Sequence, residues 1–318
     1  MPRPLDPMRL ISWASGASLP SALPMHDPDP DPGLMGPESL TWRLHSEQWL
    51  IAAGARAFLM QAAHPVVAQG ALDHSRFRED PFGRVFQTIQ GMSTLIFGTT
   101  AEVNAMARRI NQLHLTVCGT LAETVGRHTA GEPYSAMDPP ALLWVHVAFV
   151  DSVLTAYRSF VGPLSPEERE QYWQESCRYA RRLGLTDAVL PPSYPAMQAY
   201  IHDATASGEV AVGSGARIIA QTILRPPLPW RRRPLWAVVR LLTVGQLPPA
   251  IRAQYDLRWT PLHAAAFGAV CGMFRLLRWM FPRFIGRSIA VRFAMQRVRG
   301  ELLPRQDATV TVPAGPSR

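Results

Sequence analysis

The chain has 318 residues, a formal net charge of +8 and 47% hydrophobic residues, which is enough to bury a sizeable core. All 32 basic residues are arginine, so any mechanism that needs a lysine amine, as a Schiff base or as a metal ligand, is excluded. The three cysteines, Cys118, Cys177 and Cys271, form no CxxC pair, which excludes a disulfide framework, a zinc knuckle and CxxCH attachment of haem.

The two ends of the chain differ in composition from its middle. Residues 1–37 are rich in Pro, Gly and Ser and include alternating Asp and Pro at 27–32, which predicts a flexible Pro-rich arm. We predict a single helical domain over residues 38–305 and a disordered tail over 306–318. No basic segment followed by an apolar one opens the chain, so we expect a cytoplasmic protein, with a peripheral position at a membrane as an option.

Between these ends, apolar residues recur at helical spacing and are interrupted by proline and by capping residues. No alternating, strand-like run exceeds a few positions. The sequence therefore predicts an all-α multi-helix bundle. Its helices are expected from Ser39 or Thr41 to about Ala63, then at 80–97, 101–125, from 139 past Tyr157, at 165–183, 194–207, 212–223 and 235–244, from Pro248-Pro249, and at 261–279.

Polar residues recur among apolar ones between His64 and His114, which suggests a lined pocket. His114 lies on an apolar helical face. It is either a hydrogen-bonded core histidine or the ligand of a metal or haem iron, bound through a neutral imidazole.

Arg84 and Thr88 are four residues apart and so share a helical face. They could hold a distal water or polarise dioxygen. Alternatively, Arg84 pairs with Asp80 or Glu79, and Thr88 bonds back to its own helix.

Three further histidines are open candidates. His64 could act in a distal pocket, and so could His74, although Asp73-His74-Ser75 also resembles an ordinary turn. His146, within an apolar helix, competes with His114 as a ligand. The sequence contains no GxSxG or HExxH motif and no paired carboxylates of the di-iron type, so hydrolase and di-iron chemistry find little support.

Charge is unevenly distributed. Residues 1–211 hold 15 Arg against 21 Asp and Glu, whereas residues 212–305 hold 16 Arg against two acidic residues. Arginine interleaved with aromatic residues can face nucleic acid or an anionic membrane surface. Because no nucleic-acid motif is present, we favour the membrane; the alternative is a helix packed on the core with solvated arginines. The aromatic residues are Trp230, Trp236, Trp259, Trp279, Phe274, Phe281, Phe284 and Phe293.

The order and spacing of these elements over about residues 40–280 resemble the MpaB and rubber oxygenase (latex-clearing protein) family. The first part of the resemblance is carried by His64-Pro65, His74-Ser75, Asp80-Pro81, Arg84, Thr88, Phe97-Gly98 and the stretch from His114 to Gly119. The second part is carried by Trp144-Val145-His146, Tyr157, Pro163-Leu164-Ser165, Tyr172, Glu175, Leu183-Gly184 and Leu247-Pro248-Pro249.

The resemblance implies a globin-like helical core that binds non-covalent haem b and uses dioxygen to cleave a carbon–carbon double bond in an isoprenoid-like chain. It further implies that His114 is the proximal haem ligand and that Arg84 and Thr88 form a distal pair. Rubber-cleaving members have a lysine just before that threonine, where this chain has Gln87. Lysine ligation is thus impossible, and a smaller lipid or isoprenoid is expected in place of rubber.

The sequence and the resemblance together predict a haem b-dependent oxygenase of dioxygenase type that acts on an apolar unsaturated substrate. His114, Arg84 and His146 are the predicted cofactor-binding residues, and Arg84, Thr88 and His64 are the predicted catalytic residues. An anionic membrane surface is a candidate partner, and nucleic acid is not expected. The rival hypotheses are a non-catalytic haem or lipid carrier and a helical membrane-surface module without a cofactor.

Overall fold

The computed structural model describes residues 29–75, 80–280 and 288–301. In these ranges the chain forms thirteen α-helices, two short 3-10 helices and one two-stranded antiparallel hairpin. The predicted all-α class is confirmed. Residues 1–28 of the predicted arm, the tail over 306–318, Glu79, Phe281 and Phe284 lie outside the described residues.

The helices follow one another with short connections. In chain order they are α1 (Leu40–His45), α2 (Ala52–Ala62), α3 (Pro65–His74), α4 (Pro81–Phe97), α5 (Thr100–Thr116), α6 (Pro139–Phe160), α7 (Pro166–Arg182), α8 (Tyr194–Ala206), α9 (Ser214–Leu224), α10 (Arg233–Gln246), α11 (Pro249–Gln254), α12 (Pro261–Met280) and α13 (Ile289–Val298). The 3-10 helices are Gln48–Ile51 and Trp230–Arg232, and the strands are β1 (Cys118–Thr120) and β2 (Pro133–Ser135).

The long helix α6 forms the centre of the core. Its buried residues pack on α2 along one side and on α7 and α8 along another. The fully buried Trp144 indole donates from Nε1 to the carbonyl oxygen of Met60 at 2.7 Å, which fixes α6 against α2. Burial of α6 on several sides explains why it is apolar all round.

Two segments are long and apolar enough to be considered as membrane spans. One is α6, with 67% of its apolar window buried inside the protein; the other is the bent pair of residues 48–62 and 65–74. A buried core helix satisfies the same criteria, so these segments by themselves place nothing in a membrane.

Residues 29–37, assigned above to the arm, pack on the helical domain. The Asp31 carboxylate accepts hydrogen bonds from the backbone N–H of Gly33 at 2.7 Å and of Thr100 at 2.6 Å, and Met35 is buried. Gly33 has φ +75°, and a Cβ there would lie 1.9 Å from the carbonyl oxygen of Gly98. This close approach requires glycine.

The predicted helix over 101–125 is too long. It ends at Thr116, and residues 118–120 pair with residues 133–135 as β1 and β2. The apolar spacing that suggested a continuing helix, at Val117 and Leu121, instead packs against Val66 and Tyr134.

Candidate active site

A cavity of about 630 Å³ lies between α2, α3, α4, α5, α6 and α9. Its volume falls within the ~300–1,000 Å³ typical of small-molecule and cofactor sites. Most of the wall is apolar, from residues such as Phe58, Val66, Leu142, Val145 and Ile219. The polar side chains that line it are Gln61, His74, Ser75, Asp80, Arg84, Gln87 and His114.

The bend between α2 and α3 shapes one wall of this cavity. His64 precedes Pro65, and a residue before proline favours extended backbone, so α2 cannot continue as one helix. His64 has φ −85° and ψ 124°, and the two helical segments meet at 105°. Both helices therefore present residues to the same space: Phe58 and Gln61 from α2, and Val66 and Gly70 from α3.

His114 lies in the last turn of α5 and lines the cavity. Its Nδ1 atom is buried and has no hydrogen-bond partner among the described residues. Burial lowers the pKa of His114, and the positive charge of Arg84 lowers it further. The imidazole is therefore neutral near pH 7, the form that can bind a metal or accept a hydrogen bond.

Arg84 and Thr88 of α4 are in direct contact, as their spacing predicts. The Arg84 guanidinium donates from Nη1 to Thr88 Oγ1 at 2.9 Å, and the Thr88 hydroxyl donates to the carbonyl oxygen of Arg84 at 3.1 Å. Arg84 lines the cavity and Thr88 does not, so Thr88 positions the guanidinium. Burial lowers the pKa of Arg84.

Of the two alternative partners considered for Arg84, Glu79 lies outside the described residues and Asp80 has another role. Asp80 is the N-cap of α4 and accepts a hydrogen bond at Oδ1 from the backbone N–H of Gly83 at 2.8 Å. Among the described residues, no carboxylate forms an ion pair with Arg84. The guanidinium charge therefore stays available at the cavity wall.

His64 does not line the cavity, so the structure does not support its predicted role in a distal pocket. The side chain is buried beside His128, with 5.3 Å between ring centroids, and its Nε2 lies 4.0 Å from Glu209 Oε1. Burial lowers its pKa to about 3, and the charges of His128 and Arg127 act in the same direction. Its contribution to the site is the backbone bend.

His146 also lies away from the cavity, and the structure gives no support to its role as a cofactor ligand. The neighbouring Val145 faces the cavity, whereas the His146 ring packs between Trp173 and Tyr179, with its Nε2 3.3 Å from Ser176 Oγ. Burial lowers its pKa to about 3. It is a neutral core histidine.

Sequence reasoning singled out neither Gln61 nor Asp80 as a cavity residue, and it left His74 open. Gln61 donates from Nε2 to the carbonyl oxygen of Val145 at 3.1 Å, and His74 Nε2 lies 2.9 Å from the carbonyl oxygen of Cys118. For α2, the only sign in the sequence that the helix could line a cavity was Gln61, a polar residue on an otherwise small and apolar helix face. The partner segments of these residues are 84 and 44 positions away along the chain, which local patterns do not reveal.

No group of three or more His, Cys, Asp or Glu side chains in the described ranges could hold a metal ion. A cluster-type metal site is thus absent from this part of the chain.

Comparison with known protein families identifies a family for this chain. The family model for the catalytic domain of ER-bound oxygenase mpaB/B′ and rubber oxygenase matches residues 42–279, which is most of the chain. No curated protein and no solved structure matches this sequence, so the expected likeness to globins stays a prediction. The matched region contains every residue that lines the cavity. The chain therefore belongs to the family of mpaB/B′ and rubber oxygenase catalytic domains, a family of oxygenases.

Proposed function

We propose that the protein is a haem b-dependent oxygenase that uses dioxygen to oxidise or cleave an apolar, unsaturated substrate of isoprenoid or lipid type. The observation that carries the proposal is the buried, unpartnered Nδ1 of His114 in an apolar cavity beside Arg84. Family membership supports the oxygenase class.

The residues of the cavity fit haem b on three counts. The neutral His114 imidazole, with an unpartnered buried nitrogen, would hold the haem iron. Arg84, without a carboxylate partner among the described residues, can neutralise a propionate or hydrogen-bond a polar ligand. The apolar wall suits both a macrocycle and an apolar substrate. Haem iron, when bound, would supply dioxygen binding and one-electron chemistry.

The chain's own residues have separate tasks in this proposal. His114 would hold the cofactor, and it keeps an unprotonated nitrogen because burial and, after it, the charge of Arg84 oppose its protonation. Thr88 fixes the direction of the Arg84 guanidinium. Residues such as Val66, Leu142 and Ile219 exclude water and bind apolar substrate by contact.

Gln87 distinguishes this site from a lysine-containing one. It lines the cavity and is largely exposed. A neutral amide can donate and accept hydrogen bonds but cannot become an amine ligand. We infer that Gln87 offers hydrogen bonds at the cavity wall in place of an amine, and we keep a lipid or isoprenoid smaller than rubber as the proposed substrate.

The visible absorption spectrum of the purified protein, before and after haem reconstitution, tests the proposal. We expect a Soret band in the parent and in His202→Ala, which changes an exposed histidine, and its loss or shift in His114→Ala. Circular dichroism checks that the variants are folded. A parent that stays colourless after reconstitution would contradict the proposal.

Dioxygen uptake separates the oxygenase from the carrier. A haem-loaded protein that consumes dioxygen when polyisoprenoids or unsaturated lipids are added is an enzyme. A loaded protein that binds these compounds without consuming dioxygen is a carrier.

A further inference from the structure

The helix α12 (Pro261–Met280) presents a long apolar face to its surroundings. Five of the nine most exposed large apolar side chains in the described part of the chain lie on it; Leu262 is 79% and Trp279 78% exposed. Small residues lie between them, and a Cβ at Gly268 or Gly272 would meet no atom within 4 Å. At 1.5 Å per residue, the face is about 30 Å long. The other three large side chains are Met273, Leu276 and Met280.

The two arginines of α12 are tied back to the protein by hydrogen bonds, although Arg275 stays exposed while it makes them. Arg275 donates from Nε to the carbonyl oxygen of Ser159 at 3.0 Å, and Arg278 donates from Nε to Glu47 Oε2 at 3.0 Å. On the same side, Phe274 packs against Trp49 with 4.4 Å between ring centroids. A surface helix normally does the reverse and turns its charges outward. The two arginines of α12 are engaged by the protein while leucine, methionine and tryptophan face outward.

The segment of the chain that contains α12 is strongly basic. Residues 225–280 contain nine arginines and one acidic residue, Asp256. Arg240 on α10, the helix that packs beside α12, is exposed, and so is Arg258, just before α12 begins. Trp230, at the start of this segment, is 72% exposed, with the Arg231 guanidinium 5.4 Å from its ring centroid. Exposed tryptophan and arginine beside an apolar helix face are typical of proteins at a membrane interface.

Charge decides between the two kinds of partner that an apolar face could take. A second copy of the chain would bring an equally basic surface against this one, and like charges at close range repel. An anionic bilayer neutralises the arginines and buries the apolar side chains. We propose that the outward face of α12 docks on an anionic phospholipid bilayer and lies in the plane of its interface. This docking does not depend on what the cavity binds.

Flotation of the full-length protein with vesicles tests the proposal. Vesicles of phosphatidylcholine with phosphatidylglycerol are compared with vesicles of phosphatidylcholine alone, at low and high salt. We expect binding to the anionic vesicles that weakens as salt is added, and at least tenfold weaker binding for Leu276→Ser/Trp279→Ser. The matched control, Leu115→Ser, changes an exposed leucine on α5 and should bind like the parent.

Three results would overturn the proposal: no binding to anionic vesicles, equal binding by the double variant, or equal binding to neutral vesicles. Sedimentation velocity provides a further check. A dimer that dissociates in Leu276→Ser/Trp279→Ser would assign the face to a second copy of the chain and also overturn membrane docking. Urea unfolding should give the same midpoint for the variants and the parent, since the substituted side chains are exposed.

Discussion

At the scale of single residues, the cavity is organised around the effect of Arg84 on His114. Burial lowers the pKa of His114, and the positive charge of the Arg84 guanidinium, which Thr88 holds through a hydrogen bond, lowers it further. Arg84 and Thr88 belong to α4, and His114 belongs to the neighbouring helix α5. Burial and the nearby positive charge together keep the imidazole neutral near pH 7.

We predict that Arg84→Gln raises the pKa of His114. A nearby positive charge disfavours the imidazolium form, so removing it makes protonation easier. The pKa can be followed by NMR titration of the histidine ring protons. Arg240→Gln, which removes an exposed arginine of α10, should leave the His114 titration where it is. An unchanged titration in Arg84→Gln would show that Arg84 does not act on His114.

The histidines show what residue patterns reveal and what they leave undecided. His64, His114 and His146 all follow apolar helical patterns, and all three are at least partly buried. Of these three histidines, only His114 lines the cavity together with Arg84. Helical spacing identifies which face of a helix is buried, but each buried face can meet the cavity or another helix, and that depends on packing.

At the scale of helices and strands, a buried arginine ties three helices together behind the cavity. Arg56 of α2 donates from Nε to the carbonyl oxygen of Gln246 in α10 at 2.8 Å and from Nη1 to Ser152 Oγ in α6 at 2.6 Å. Its Nη2 also pairs with Asp151 of α6. Arg56 is 2% exposed, so it fixes α2, whose other residues line the cavity, against α6 and α10.

We predict that Arg56→Leu lowers the free energy of unfolding by about 3–5 kcal/mol, because it leaves Asp151 and a buried carbonyl group without the guanidinium. Urea unfolding followed by circular dichroism measures this. The double variant Arg56→Leu/Asp151→Leu should recover part of the loss, since it also removes the uncompensated carboxylate. A single variant as stable as the parent would mean that the guanidinium contributes nothing to holding α2.

Most helix starts could be predicted from sequence because their signals are local. Pro81, Pro139, Pro166 and Pro249 each begin a helix where proline at the first position predicts it. The α3 helix was not predicted: it begins at Pro65, only three residues after α2 ends, and its N-cap His64 makes no side-chain capping hydrogen bond. The end of α5 was misplaced because β1 pairs with β2, which lies more than ten residues further on.

At the scale of the whole molecule, the buried histidines set how stability depends on pH. In the folded protein the pKa values of His64 and His146 are each about 3, because burial opposes their charged form. Unfolding returns both to the ordinary value near 6.5. Between these values the unfolded chain binds more protons than the folded one. The stability that these two neutral histidines contribute is therefore fully present above about pH 6.5 and is lost as pH falls towards 3.

We predict that the urea midpoint falls between about pH 7.5 and pH 5 and that His146→Leu loses less over this interval than the parent, since one site of proton uptake is gone. His202→Ala, which changes an exposed histidine, should follow the parent. If the midpoint stays constant over the interval, the buried histidines do not control acid unfolding.

The sequence by itself determined the all-α class, the exclusion of lysine chemistry, most helix starts and the shared helical face of Arg84 and Thr88, since all of these depend on composition or on neighbours within one helical turn. The tertiary structure decided that His114 shares a cavity with Arg84, that His64 and His146 belong to the core, and that α12 turns its apolar side outward. These depend on which helices pack together, and helix packing brings together residues far apart along the chain, which local spacing does not encode.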